Sequence, residues 1–477
     1  MVVEVLVRCV TVLIRHHARQ IGTCTEGLVT GPGQDHDSHR RVDFGHRHLV
    51  SQSGDDVPRH GIAPLRPIDG QRENRAVTDC QQVVIAVRPG DGVVVHAPTV
   101  PRPGQDGRFR GPRRYGDAIA TVALLSFRLG GTDGVAIEAA KWQRALGDLG
   151  FTTYTVAGAG VVDITVPGLA IGATEPPTRS EVDNALAHAD LVIVENLLSL
   201  PLNQPAWDVV AEALAGRPAL LHHHDLPWQR PQFLDHAGPP RDPRWRHVTI
   251  NELSRRELMR RGIGARTIYN SFAVPKADTA PDGPFPFRSA AGEAVRKSLG
   301  MGPDDRLLLQ PTRALARKNV SSGLTSAVCL DATYWLLGPA EDGYGPRLEQ
   351  LLAAAQCPIA WGVPDITDGT GPHGTMHIDD AYQACDVVAL PSTWEGFGNP
   401  SLESVTHRRP LVIGHYPVAD ELATFGFEWF RLDTMAKLDA WLTAPDPGLL
   451  ERNLAVARDH FSLDDLADRI GAVLPPI

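Results

Sequence analysis

Residues 386–403 read Asp386-Val-Val-Ala-Leu-Pro-Ser-Thr-Trp-Glu395-Gly-Phe-Gly-Asn-Pro-Ser-Leu-Glu403, and the fold is decided by this stretch. Residues 387–390 form a short continuous apolar run of the kind buried on both faces of a parallel sheet. A loop with two glycines follows. Asn399 and Pro400 then supply a side-chain N-cap and a first helical residue, a position where proline's missing amide proton is not needed. The spacing predicts Glu395 in the loop and Glu403 in the first helical turn. Gly396 and Gly398 let the main chain approach a ligand closely, and free amides near Ser401 and Leu402 suit an anion such as a diphosphate at the positive end of the helix.

The same rhythm extends in both directions. Strands are predicted at 306–310, 334–338, 359–362, 387–390 and 411–414, each with a helical segment after it, and the pattern is helical beyond Leu432. An earlier series has strands at 121–126, 191–194, 219–222, 247–250 and 267–269, with an amphipathic helix at 135–149. Short buried runs alternating with helices make this an α/β protein of doubly wound parallel sheets. Between the two series lies SFAVPKADTAPDGPFPFRSAA (271–291), rich in proline and small residues, which reads as a linker. The expected organisation is a segment 1–116, a Rossmann-like domain 117–275, a linker 276–290, a second Rossmann-like domain 291–432, and C-terminal helices 433–477.

Segment 1–116 differs in composition. It has no Trp or Lys and its one Tyr is Tyr115; its net charge is +4, against −14 for the remainder. Too little apolar surface is present to offset the entropy of ordering, so the expectation is a low-order segment or a mis-assigned start, the true one lying near Asp117 or Ala118. Six widely spaced cysteines (Cys9, Cys24, Cys80, Cys329, Cys357 and Cys385) with no C-x-x-C pair read as reduced, which points to the cytoplasm. No apolar run reaches the ~20 residues of a membrane helix, so membrane contact is expected to be peripheral at most. A net charge of −10 without a basic stripe argues against nucleic acid.

EGFGNPSLE after DVVALPS resembles the E-x7-E donor-site signature of family 4 and related retaining glycosyltransferases with the GT-B architecture of two Rossmann-like domains around a cleft. The resemblance covers the chain from about Ala120 onward and is strongest from Arg306 to Gly414. It implies that Glu395 contacts the donor sugar and Glu403 holds the nucleotide ribose, with Phe397 and Asn399 in the same donor loop. The loop Gln310-Pro-Thr-Arg313-Ala-Leu-Ala-Arg317-Lys318-Asn319 is similar to the family's G-R-x-x-x-x-K segment, with Pro-Thr in place of the usual glycine. By that match Arg313 and Lys318 are the pair that neutralises the leaving diphosphate, and Arg317 is an exposed neighbour.

Three further segments are candidates. Phe127-Arg-Leu-Gly130-Gly131-Thr-Asp133-Gly134 ends the first strand and opens a helix. The resemblance places Gly130 and Gly131 opposite the donor phosphates, and Asp133 is a candidate for an acceptor hydroxyl. In Leu221-His222-His223-His224-Asp225, consecutive strand residues point to opposite faces, so the three histidines cannot share one metal. The family's histidine near the transferred sugar matches His224 best, with His222 or His223 as a core residue. Glu195-Asn196 ends another strand and shapes either the acceptor pocket or only its own loop. The function expected is transfer of a hexose from a nucleotide-diphosphate sugar, such as UDP- or GDP-hexose, to an unknown acceptor, with no metal and no organic cofactor. The alternatives are a nucleotide-sugar epimerase of the same fold and a non-catalytic sugar- or nucleotide-binding protein.

Overall fold

The computed structural model describes residues 120–276, 285–362, 366–367 and 376–477. Segment 1–116 and the centre of the expected linker, 277–284, lie outside the described residues.

β1 (Thr121–Leu129) leads through a glycine-containing turn into α1 (Gly134–Asp148), whose Asp133 N-cap accepts from the amides of Val135 and Ala136. β2 (Thr152–Gly160) and β3 (Ile164–Thr165) follow, then α2 (Arg179–Ala185), β4 (Leu191–Glu195), α3 (Gln204–Leu214), β5 (Ala219–His223), β6 (Trp245–Thr249), α4 (Glu252–Arg260) and β7 (Ala265–Thr267). The seven strands pair in the order β3-β2-β1-β4-β5-β6-β7, and every pairing is parallel. The sequence reading missed β2, whose TTYTVAGAG lacks a run of large apolar residues. It is held by pairing with β1, by buried Val156 and Ala157, and by a close approach that only glycine permits: a Cβ on Gly158 would stand 1.9 Å from the Ala170 amide nitrogen.

The second series runs α5 (Ala290–Ser298), β8 (Arg306–Gln310), α6 (Val320–Leu330), β9 (Ala332–Leu336), α7 (Gly345–Ala353), β10 (Ile359–Trp361), a short parallel pair β11 (Ile366–Thr367) and β12 (Met376–His377), and α8 (Ile378–Ala384). It continues with β13 (Val387–Leu390), α9 (Asn399–Thr406), β14 (Leu411–Ile413), α10 (Pro417–Ala423), β15 (Phe430–Arg431), α11 (Met435–Thr443), α12 (Pro447–Phe461) and α13 (Leu466–Gly471). Its sheet order is β10-β9-β8-β13-β14-β15, again parallel.

Each sheet carries an apolar cluster on both faces. The C-terminal helices divide between the two sheets. α12 buries Leu454, Ala457 and Phe461 in the second sheet's core, whereas α13 buries Leu466 and Ile470 beside Trp142 and Leu146 of α1. The crossing is tied at Phe272, which donates its amide to the Phe461 carbonyl (2.8 Å) and accepts from the Leu463 amide (2.8 Å). Cys357 and Cys385 are free thiols.

Candidate active site

Both strand orders reverse once, at β1/β4 in the first sheet and at β8/β13 in the second. Adjacent strands there send their following segments in opposite directions, which opens a crevice at their carboxyl ends.

In the second sheet this crevice holds Glu395, only 5% exposed. Its Oε1 accepts from Lys318 Nζ and Ser392 Oγ, both at 2.5 Å, and its Oε2 from Arg317 at 2.9 Å. Burial would raise the carboxyl's pKa, but the Lys318 and Arg317 charges outweigh it and hold the group below its ordinary value. Burial lowers the pKa of Lys318, and Glu395 only partly opposes it. The loops after β8 and β13 are stitched together by Thr393 donating its amide to the Arg317 carbonyl (2.9 Å) and by Asn319 Nδ2 donating to the Pro391 carbonyl (3.2 Å).

The cations are arranged differently from the sequence expectation in one respect: Arg317, expected as an exposed neighbour, takes part. Lys318 is joined at Glu395 by Arg317, and Arg313 turns instead to Glu341 at 2.5 Å. The reason is local backbone: the Ala314 amide donates to the Pro339 carbonyl (2.8 Å), and Gly338 lies so close that a Cβ there would meet Arg313 Cα at 2.5 Å. Arg317 and Lys318 sit together on the short turn of 3-10 helix Ala316–Lys318.

The helix start also differs from expectation. Gly398 is the N-cap of α9 at φ +88°, so Asn399 and Pro400 are the first two helical residues and Glu403 lies past the first turn. The Ser401 amide is taken by the Gly398 carbonyl at 2.8 Å. The main-chain amides of Gly396, Phe397, Gly398 and Asn399 donate to no described residue, which moves the candidate anion cradle upstream. Phe397 offers it main chain only, because its ring is buried against Phe272 and Phe461. Half-buried Glu403 accepts on Oε2 from Tyr382 (2.5 Å), and burial raises its pKa; Oε1 has no partner among the described residues.

In the first sheet, Gly130 has φ +72° and a Cβ there would meet the Val161 carbonyl at 2.4 Å, so local packing alone requires the glycine. Gly131 is different, since its Cβ would approach nothing closer than Asp133 at 3.7 Å. Asp133 is committed to capping α1 and to Arg128 (3.0 Å), not left free for an acceptor hydroxyl. At the ends of β4 and β5, Glu195 Oε2 accepts from His222 Nδ1 (2.8 Å) and His224 Nε2 (2.9 Å). His223 faces the other way, against Ser199 (2.6 Å) and His247 (3.0 Å). Asn196 is not an idle loop residue: its Oδ1 accepts from the amides of His224 and Asp225. Among the described residues, Glu195, His222 and His224 offer atoms within 4.8 Å of one another, with one nitrogen of each ring on Glu195 Oε2.

The two sets of loops touch. A Cβ on Gly396 would stand 2.6 Å from the His224 carbonyl, and Asn251 Nδ2 donates to the Gly396 carbonyl at 2.6 Å. Asn270 Nδ2 donates to Asn399 Oδ1 at 2.8 Å. Lys141 of α1 has Glu138 at 2.5 Å and lies near enough to Glu403 to draw its pKa down against burial. Ser392, Arg317, Tyr382 and Lys141 were not singled out as site residues in the sequence. Only Ser392 and Arg317 stand inside the quoted motifs, and no spacing rule distinguishes them there.

No protein-family model matches the chain. Over 435 residues, 74% of this chain and 100% of the relative, it is 26% identical to mannosylglucosylglycerate synthase of Thermotoga maritima. Over 151 residues, 28% of this chain and 33% of the relative, it is 29% identical to D-inositol 3-phosphate glycosyltransferase of Saccharomonospora viridis. The solved structure of Anabaena HepE in complex with UDP and glucose covers 74% of this chain and 99% of its own, with a TM-score of 0.56 at 18% identity. The architecture is therefore the GT-B fold. With relatives of this kind along nearly all of its described length, the chain is a glycosyltransferase. Among the described residues no helix is long and apolar enough to cross a membrane.

Proposed function

We propose that the chain transfers a hexose from a UDP- or GDP-linked donor with retention of anomeric configuration, as the E-x7-E resemblance implies. The observation that carries this is Glu395, an ionised carboxylate held by Lys318, Arg317 and Ser392 at the switch point of the second sheet, beside four main-chain amides with no acceptor among the described residues. In this reading the diphosphate lies on the amides of residues 396–399. Lys318 and Arg317 neutralise the charge that grows as the nucleotide departs, and Arg313 joins them by leaving Glu341. Glu395 orients the sugar, Glu403 Oε1 takes the ribose, and His224 and Gly131 close the site from the first sheet. The cations make a metal unnecessary, and we place the reaction in the cytoplasm.

Anabaena HepE was solved with UDP and with UDP-glucose, which supports a uridine donor. The names of the relatives point to glycerate and inositol phosphate moieties, so the acceptor we propose is a small polyhydroxy anion. The test is thermal melting of the full chain with a panel of nucleoside diphosphates and nucleotide sugars. A ligand at 100 times its Kd adds about 2.7 kcal/mol to the native state. One base should raise Tm selectively and lose that effect in Glu403→Ala; no shift with any nucleotide sinks the reading. Proton NMR of the product's anomeric coupling decides retention.

A further inference from the structure

Glu195 is fully buried at the end of β4, with one oxygen shared by two imidazoles. Glu195 and His222 are register partners on β4 and β5, so their side chains and that of His224, two residues on, share a face of the sheet. His224 stands just beyond the strand, its amide on Asn196 and its carbonyl against Gly396 of the donor loop. Its Nε2 is taken by Glu195, and its Nδ1 bonds to no described residue.

Resting on the donor-site reading above, we propose that Glu195 is a positioning residue for transfer: by holding His224 Nε2 inside the sheet, it turns Nδ1 toward the donor loop and fixes the ring's tautomer. Carboxylate and histidine are paired in this way wherever one ring nitrogen is clamped so that the other can act. His222 serves as the spacer. It packs on Trp142 at 4.2 Å between ring centroids and donates Nδ1 to the same oxygen, so the carboxylate cannot swing away.

The surrounding charges favour a protonated ring. Burial alone would lower the His224 pKa, but the Glu195 hydrogen bond and charge, with Glu138 and Asp225, outweigh it and raise it. Glu138 is paired with Lys141 and Asp225 with Arg230. His222 goes the other way, lowered by burial and kept neutral beside its charged neighbour. Among the described residues, Glu195 Oε1 and His222 Nε2 are buried without hydrogen-bond partners.

The experiment uses the full chain, with long-range 1H–15N spectra of the imidazoles assigned by His224→Gln, and steady-state kinetics of Glu195→Gln and Glu195→Asp. The wild-type His224 should carry a proton on Nε2 at every pH, with Nδ1 the nitrogen that titrates. Glu195→Gln should lower kcat by about 10- to 100-fold with the donor KM unchanged, and Glu195→Asp should recover part of it. A wild-type ring protonated only at Nδ1, or an unchanged kcat in Glu195→Gln, overturns the proposal. If Glu195→Gln does not fold, the wild-type spectrum still decides. Absence of a nucleotide-induced melting shift in wild type strikes the donor site; a normal shift with unchanged Glu195→Gln kinetics strikes only the clamp.

Discussion

Glu395 and Lys318 show how one ion pair ties activity to stability. From sequence alone, both residues read as donor-site groups on loops, with nothing that ties them to stability. With Glu395 buried against Lys318 and Arg317, Glu395→Gln should instead lose about 3 kcal/mol, because two cations are left without their counter-charge. Transfer should fall at least ~100-fold in the same variant, as for loss of a transition-state contact. Denaturant unfolding and initial rates check the two parts separately. Glu195 gives a pH signature. His222 and His224 overcome burial and hold its pKa at about 2, against 4.5 ordinarily. The unfolded chain binds that proton more readily, so this stabilisation is complete above about pH 4.5 and is lost as pH falls toward 2. The raised His224 contributes in the opposite sense: its stabilisation is present below its ordinary 6.5 and lost as pH rises through its folded value. Acid melting of Glu195→Gln should be flatter than that of wild type.

The loop from β13 into α9 is the element on which most of the site depends, and its two glycines answer to the protein before any ligand. Gly398→Ala imposes a side chain at φ +88° and drives a methyl group to 2.6 Å from the Tyr416 hydroxyl. A loss of about 1–3 kcal/mol is expected, read as a lower Tm. Gly396→Ala meets the His224 carbonyl at 2.6 Å, across the contact between the two sheets' loops. It should reduce kcat more than it lowers Tm, since it pushes apart the parts of the site while leaving each sheet's core intact. Equal effects on both in a paired melting and rate measurement would count against that contact.

For the molecule as a whole, what joins the two sheets is polar capping as well as apolar packing. Glu421 of α10, on the second sheet, accepts from the Glu252 amide (2.7 Å), the Leu253 amide (2.8 Å) and the Tyr269 hydroxyl (2.9 Å) of the first. It thus caps the N-terminus of α4 from outside, where a carboxylate meets unpaired amides and the positive end of the helix. Glu421→Ala should cost about 1–3 kcal/mol. Calorimetry should then show one unfolding transition broadening or splitting as the two sheets uncouple.

Residues close in sequence were enough to read the strands at 306–310 and 387–390, the helix after β1 and the grouping of acids around residues 395–403, because apolar period and turn chemistry act within a few residues of one another. β2 escaped because its own buried side chains, Val156 and Ala157 with Tyr154 beside them, make no large apolar run, and its pairing with β1 and close approach to Ala170 are not local. The register that sets Glu195 beside His222, the backbone ties that turn Arg313 toward Glu341 and bring Arg317 to Glu395, and the return of α13 to α1 are likewise absent from any local pattern. Local chemistry determined which segments fold as strands and helices and which residues carry charge at their ends. Only the tertiary structure decided which charges meet, because pairing depends on strand order and distances between segments up to hundreds of residues apart.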